Sequence, residues 1–303
     1  MRSRSSIEIR RCRPLLGTFV EITAGGSDER LLVRGIEAGF DAIARVNRLM
    51  SFHDPLSDVS RMNREAFPKG VSVHPWTWQV MSAAKRFAEE SHGAFDITVA
   101  PLLTKWNYLP DRCYRFSPTS TSGDIFLRRD YEVFFCRDLI VDLGGIAKGF
   151  AVDRAVEALK DNGVRAGIVN AGGDLRTFGP DSQFIHLRHP AEPTRIAGAV
   201  RLRERAMATS GIYFERRKHH AQYVSPLLDG RSGRTARELI SVSVAAAECM
   251  VADALTKIVF ALREEAAGLL ARYRADALLL ERDGAPSWMF HSPCDTRDRT
   301  RFD

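Results

Sequence analysis

The sequence predicts an α+β protein rather than a doubly wound α/β one. Three observations point there. Apolar residues recur at helical spacing in several segments, and short alternating or apolar runs between them read as strands. Helices and strands do not follow one another in strict βαβ order. No stretch rich in Gly, Ser or Pro divides the 303 residues, a length that suits one large domain or two small ones.

Taken in order, Leu15 to Thr23 alternates apolar and polar residues and reads as a strand. Leu32, Ile36, Phe40, Ile43, Val46 and Met50 fall on one helical face, which predicts a helix over Glu29 to Met50. Ser51 to Val73 is polar and turn-rich. A second helix is expected from Trp76 to Ser91, stopped by Gly93, and Pro101 to Asp124 reads as irregular. Tyr131 to Val141 is expected as a strand or hairpin arm running into a glycine turn. A helix then extends to Lys160 and ends at Asn162-Gly163. Short strands follow near 166–170, 184–188, 197–202 and 240–246, then helices over 250–261 and 264–272 and a strand at 277–281. The tail from Ser292 is polar and expected to fray.

Bulk properties exclude more than they assign. Hydrophobic and charged fractions of 45% and 27% are ordinary for a globular protein. The formal net charge of +6 is spread along the chain. Without aromatic interleaving or a reading module it does not argue nucleic acid, and an anionic small ligand is at least as good an explanation. Five cysteines, Cys12, Cys113, Cys136, Cys249 and Cys294, show no paired spacing and read as reduced thiols. Met1 to Arg13 is charged and lacks the apolar core of a signal peptide, and no lipid-attachment cysteine is visible. A cytoplasmic protein without a membrane-spanning segment is therefore expected.

Residues 142 to 153 read Asp-Leu-Gly-Gly-Ile-Ala-Lys-Gly-Phe-Ala-Val-Asp, the most informative stretch of the chain. A glycine turn that opens a helix presents free N–H groups to an anion. Lys148 adds positive charge there and Asp142 an acceptor. Asn170-Ala-Gly-Gly-Asp174 brings polar atoms to a second glycine turn, or is a plain turn with an Asp cap. Ala208-Thr-Ser-Gly-Ile-Tyr213 sets two hydroxyls before a glycine, or is a strand end. Asp253 and Thr256 share a helix face and are hard oxygen donors suited to Mg²⁺. Lys257, four residues past Asp253, offers instead an intrahelical ion pair. Phe95 and Asp96 give an aromatic face and an acceptor, or a helix-stop loop.

These signals occur together and in one order. Leu16-Gly-Thr-Phe-Val-Glu21 is followed by Met50-Ser51 with Ser60 to Asn63, then Gly93-Ala-Phe-Asp-Ile-Thr98 and Pro101-Leu with Trp106. The Asp142 stretch, Asn170-Ala-Gly-Gly-Asp, Ala208-Thr-Ser-Gly and Ala252-Asp-Ala-Leu-Thr256 complete the series. The set resembles the ApbE family, the FAD:protein FMN transferases, over roughly Leu15 to Leu262. The resemblance implies one catalytic domain over residues 1–303, core about 15–290, folded as a two-lobed mixed α/β-sandwich of two interleaved lobes with FAD in the cleft between them. It implies Mg²⁺-dependent transfer of FMN from FAD onto a Thr or Ser hydroxyl of an acceptor protein, with AMP leaving. By motif, Leu16, His53, Ala94, Phe95, Asp96, Asp142 and Lys148 would line FAD. Gly145, through its carbonyl, with Asp253 and Thr256 would hold Mg²⁺, and Asp253 and Lys148 would carry the chemistry. A FAD pyrophosphatase and a non-catalytic flavin-binding protein are the alternatives.

This chain departs from the family pattern at four places. Leu16 stands where Met opens the first motif, and His53 replaces the Tyr after Met-Ser. The hydroxyl usual four residues past the metal-helix acid is Lys257, leaving Thr256 as substitute. A His-Ile-x-Asp-Pro-x-Thr-Gly loop reads Gln222-Tyr-Val-Ser-Pro-Leu-Leu-Asp-Gly-Arg-Ser-Gly233, with an insertion.

Overall fold

A computed structural model describes residues 7–189, 194, 196–212, 216–220, 222–235, 239–281 and 286–289. The tail expected to fray from Ser292 lies outside the described residues, as do Tyr213 and Cys294. In chain order the elements are β1 (Ile7–Leu15), β2 (Thr18–Gly26), α1 (Glu29–Met50), α2 (Asp58–Glu65), β3 (Val71–Ser72), α3 (Pro75–Glu90), α4 (Ala100–Lys105), β4 (Ile125–Leu127), β5 (Glu132–Phe135) and α5 (Ala147–Asp161). There follow β6 (Ala166–Ala171), β7 (Asp174–Phe178), β8 (Gln183–Arg188), β9 (Ile196–Leu202), β10 (Ala206–Gly211), β11 (Arg217–His219), β12 (Gln222–Val224), β13 (Leu239–Ala246), α6 (Cys249–Leu262), α7 (Ala267–Arg272), β14 (Asp276–Glu281) and β15 (Pro286–Met289).

The main sheet has eight strands in the order β1-β2-β6-β7-β10-β13-β14-β15, every neighbouring pair antiparallel. Such a sheet needs only hairpins and return connections, which is why no βαβ rhythm shows in the sequence. Helices α1, α5 and α6 pack across one face. The apolar stripe of α1 is buried there, Leu32, Ile36, Phe40, Ile43 and Val46 all at 1% exposure or less, and Asp28 caps the helix by accepting from Leu31 N at 3.1 Å. On the opposite face Leu175, Met207, Ala245 and Leu278 form a smaller core with Leu187 and Leu202 of the β8–β9 hairpin. The second lobe holds α2, α3, α4 and the small sheet β3-β5-β4.

Three local expectations are corrected. The strand read over Leu15–Thr23 contains a turn: Leu15 pairs with Thr18, and Leu16 and Gly17 form a two-residue hairpin loop with φ of 55° and 70°, the left-handed geometry that such loops demand. Residues 51–73 and 101–124, read as turn-rich and irregular, hold α2, β3 and α4. The strand expected to reach Val141 ends at Phe135. Leu139 to Val141 is buried but belongs to no sheet. Instead the Asn63 amide plays the part of a strand neighbour, accepting from Val141 N at 2.8 Å and donating to Val141 O at 3.0 Å. Buried backbone groups must find partners, and here one side chain 78 residues away supplies both.

Candidate active site

A cavity of about 860 Å³ lies between the lobes, near the upper end for small-molecule sites. Two hairpin tips form one edge: Leu16-Gly17 joining β1 to β2, and Gly172-Gly173 joining β6 to β7, where Ala171 pairs with Asp174 and Asn170 Oδ1 accepts from Gly173 N at 2.9 Å. The two tips touch, because a Cβ on Gly172 would lie 2.5 Å from Thr18 Oγ1. Ala94, Phe95 and Asp96 line the second-lobe wall, and His53 follows α1. Gly144, Gly145 and Lys148 come from the start of α5 and Lys257 from α6. Of the residues the sequence singles out, Leu16, His53, Ala94, Phe95, Asp96, Asp142, Gly145 and Lys148 line this one cavity.

Phe95 is buried and meets Phe87 edge-on at 6.2 Å, so its position is fixed by packing. Asp96 was expected as an acceptor for a planar ring, but its carboxylate is committed. Oδ1 accepts from Thr98 N, Thr98 Oγ1 and Ser122 Oγ at 2.8, 2.7 and 2.5 Å, and Oδ2 from Ser122 N at 3.2 Å. Asp142 is freer. Its Oδ2 accepts from Gly144 N at 3.1 Å. Burial pushes its carboxyl above the usual range, against that hydrogen bond and the nearby His53.

Neither α5 nor α6 has a capping side chain at its own N-cap, Ile146 or Glu248. Each borrows an acid from the other. Asp153 of α5 accepts from Cys249 N and Met250 N at 2.9 and 2.8 Å, and Arg176 donates to it at 2.6 Å. Asp253 of α6 accepts from Gly149 N at 3.0 Å. The free amides and dipole of each helix start favour these carboxylates.

Beside these caps lie two ion pairs. Lys148 Nζ donates to Asp174 Oδ2 at 2.5 Å, and Lys257 Nζ donates to Asp253 Oδ1. The Asp174 carboxylate raises the Lys148 ammonium above the ordinary lysine range against the cost of burial. Burial raises the Asp253 carboxyl, opposed by the Lys257 ammonium. The acids lie beneath and the ammonium groups above. Asp174 and Asp253 side chains are 1% and 0% exposed, those of Lys148 and Lys257 35% and 16%. Arg216 and Arg217 add cations at the rim, lying over the Tyr223 and Tyr108 rings at 3.8 and 4.5 Å.

The two side chains of the Mg²⁺ set implied by the resemblance, Asp253 and Thr256, do not fit a metal as they are placed. Both Asp253 oxygens are engaged, one by the Lys257 ammonium and the other by the α5 cap. Thr256 does not turn its hydroxyl toward that carboxylate: Oγ1 donates to the Asp253 carbonyl at 2.7 Å and lies 2.7 Å from Ser210 Oγ. Asp174 Oδ1 nearby is buried without a hydrogen-bond partner, but its other oxygen holds the Lys148 ammonium, so the water and phosphate that ordinarily complete a Mg²⁺ shell would lack an uncommitted Asp253 carboxylate to build on. No cluster of three or more His, Cys, Asp or Glu suited to a metal occurs among the described residues.

The sequence offers Asp174 either as a polar group at a second glycine turn or as a plain turn cap, and assigns none of Asn63, Ser210, Arg216 and Arg217 to the site. For Asp174 the available signal was the glycine pair, since a two-residue hairpin loop fixes where the first residue of the returning strand points. The arginines gave no signal beyond being basic. The rebuilt loop 222–233 packs directly on the second-lobe wall. Gly230 N donates to Ala94 O at 2.9 Å, and a Cβ on Gly230 would lie 2.4 Å from Gly93 O.

Fold and site together define an α+β protein with a cleft of nucleotide size, floored by ammonium groups and walled by an aromatic ring. The ApbE family model matches residues 16–279, and the chain belongs to that family. It is 28% identical to a FAD:protein FMN transferase of Klebsiella pneumoniae (strain 342) over 93% of each chain. It is 27% identical to one of Vibrio cholerae over 83% of this chain and 80% of that one. Among solved structures, the ApbE protein of Thermotoga maritima MSB8 superposes with a TM-score of 0.81 at 27% identity, covering 93% of this chain and 96% of its own. The flavin transferase ApbE of Vibrio cholerae shares the fold, with a TM-score of 0.77 at 24% identity over 94% and 97%. No described helix is long and apolar enough to cross a membrane.

Proposed function

We propose that this protein binds FAD in the inter-lobe cleft and transfers FMN from it to a hydroxyl of an acceptor protein. The observation that carries the reading is the cleft floor, where Lys148 and Lys257 present ammonium groups over buried carboxylates, in a chain whose relatives are FAD:protein FMN transferases. A pyrophosphate is the part of FAD that such a floor would hold. Phe95 would form the wall for the planar ring, with Leu16 and Ala94 as apolar contacts and Asp142 and His53 as polar ones. Asp96 holds the wall rather than the ligand.

In the reaction so read, a Thr or Ser oxygen of the acceptor attacks the phosphorus on the FMN side. One O–P bond forms, the bridging P–O bond breaks, AMP leaves with the bonding pair, and the hydroxyl proton is released. Lys148 is the catalytic residue we assign: its ammonium would stabilise charge on the pyrophosphate as the bond breaks. Asp174 would position it, and Asp253 acts by capping α5 and holding Lys257. Alignment of the two substrates supplies much of the remaining rate. No step is routed through Mg²⁺, because the two side chains expected to hold it, Asp253 and Thr256, are otherwise engaged.

The first and last described strands share one sheet, which supports reading residues 1–303 as a single catalytic domain of two interleaved lobes. Free thiols at Cys12, Cys113, Cys136 and Cys249 support a cytoplasmic reaction. Incubation with FAD and a Thr- or Ser-bearing acceptor should give an acceptor heavier by one FMN and fluorescent under denaturing electrophoresis, with AMP released in equal amount. Free FMN and AMP with an unlabelled acceptor would instead establish hydrolysis, and FAD left intact would refute both.

A further inference from the structure

Resting on the flavin reading above, we propose that Lys257 is a built-in cation: its ammonium serves the pyrophosphate in place of a divalent metal, and the site binds its ligand without one. Four observations converge on this. Lys257 lines the cleft, and its Cε would lie 3.9 Å from a Cβ on Gly145. It therefore occupies the space between the two residues, Gly145 and Asp253, that the family pattern would use to hold a metal. Its partner Asp253 is fully buried while its own side chain keeps 16% exposure on the cleft side. Asp253 cannot readily be released to a metal, because its second oxygen caps α5 through Gly149 N at 3.0 Å. Finally, the hydroxyl at Thr256 is tied to the Asp253 carbonyl and Ser210, so the helix offers one cation and no second oxygen donor to the cleft.

Lysine in this place has definite chemistry. It brings one positive charge and three donors on a stem rooted in the protein, so no metal has to be captured and no inner hydration shell stripped. Its charge is smaller than that of a divalent ion and is shared with Asp253, but Lys148 lines the same cleft, and each ammonium keeps N–H donors beyond the one given to its own acid for a ligand pyrophosphate. Asp253 is here a positioning residue. It holds Lys257 at the floor, as Asp174 holds Lys148.

The test separates this inference from the flavin reading. Mn²⁺ binding to the ligand-free full chain is followed by electron paramagnetic resonance, and FAD binding by quenching of flavin fluorescence in EDTA and in excess Mg²⁺. The wild type should leave Mn²⁺ free and bind FAD within about twofold equally in both media. Lys257→Thr should gain Mn²⁺ binding and hold FAD at least about tenfold more tightly with Mg²⁺ than with EDTA. Lys257→Met, checked by its thermal melt, should weaken FAD at least about tenfold in both media. Asp253→Asn/Lys257→Met, which buries no unpaired carboxylate, gives the same reading if the single variant does not fold. Mn²⁺ captured by the wild type, FAD bound in Mg²⁺ but not in EDTA, or undiminished FAD binding in the Met variants would overturn the built-in cation and leave the flavin reading standing. FAD bound in neither medium would sink the flavin reading, and this inference with it.

Discussion

Gly149 is the tightest point between the two helices that carry the site. A Cβ built there lies 2.3 Å from the Cys249 carbonyl oxygen, 2.6 Å from its carbon and 2.8 Å from Asp253 Cβ, where ordinary contact begins at 3.4 Å. The obstacle is backbone, and it cannot back away, since Asp153 holds Cys249 N and Met250 N at 2.9 and 2.8 Å. Gly149→Ala must therefore push the first turn of α6 outward by about 1 Å and loosen the Asp253 cap on α5. Overpacking of this kind costs about 1–3 kcal/mol and a weakened cap about 1 kcal/mol more, while alanine in a helix returns about 1 kcal/mol. The net is a loss of about 1–3 kcal/mol, or roughly 2–5 °C in Tm for a chain of this length. The control is Gly268 in α7, where an added Cβ meets nothing within 4 Å. Gly268→Ala should be neutral or stabilising by up to about 1 kcal/mol. Urea titration and thermal melts of both variants decide the matter. A Gly149→Ala protein as stable as Gly268→Ala would refute the close approach of α5 and α6.

Asn63→Ala strips both partners from the buried Val141 backbone groups and should cost about 2–4 kcal/mol by urea unfolding; a loss under about 0.5 kcal/mol would mean that the segment before Asp142 is not held as described. Lys148→Met should weaken FAD binding about 10- to 100-fold by fluorescence titration, and unchanged affinity would remove Lys148 from the ligand floor. Burial and the Glu90 carboxylate, which accepts from the phenol at 2.6 Å, push Tyr273 up to about 12. A raised value means a contribution to stability that is complete below the ordinary tyrosine value of about 10 and lost as pH rises through about 12. The ultraviolet phenolate band should show one late-titrating tyrosine that Tyr273→Phe removes; its persistence in that variant would reassign it.

Elements with strong local signals were legible. The stripe Leu32 to Met50 predicts α1 to the residue, and the strands at 166–170, 184–188 and 240–246 lie within one residue of β6, β8 and β13. What could not be read depends on partners distant in the chain. Leu139 to Val141 looks like a strand by composition, yet its neighbour is the Asn63 side chain, a pairing that leaves no periodicity. β7 gives no strand signal because it is short and mixed in polarity, Asp174-Leu-Arg-Thr-Phe178, and β10, which ends in Thr209, Ser210 and Gly211, shows only as the strand-end alternative over Ala208 to Tyr213. The order of β10 beside β7 and β13 is tertiary information. Within the site, the motif residues line one cavity, but spacing does not say what their atoms do. Asp96 looks like a free acceptor until Ser122, 26 residues on, is seen to close it off. Thr256 shares a face with Asp253 by spacing, yet its rotamer turns it to Ser210 on another element.

The reciprocal caps explain why a lysine at 257 is tolerated at all. An aspartate wholly inside the protein is costly unless its charge is met. Asp253 gains one hydrogen bond from α5 and sits at the positive end of that helix, but one N–H leaves most of the carboxylate's hydrogen-bonding capacity empty. Asp153, in the mirror position, meets the same demand with two N–H groups and Arg176. Asp253 has no arginine, and Lys257, one turn along its own helix, fills that role. The difference lies in where the cation points. Arg176 closes a structural cap on the sheet side, whereas Lys257 reaches up to the cleft floor. The same physical requirement, neutralising a buried helix-capping acid, thus yields a scaffold at one end of the helix pair and a ligand-facing ammonium at the other.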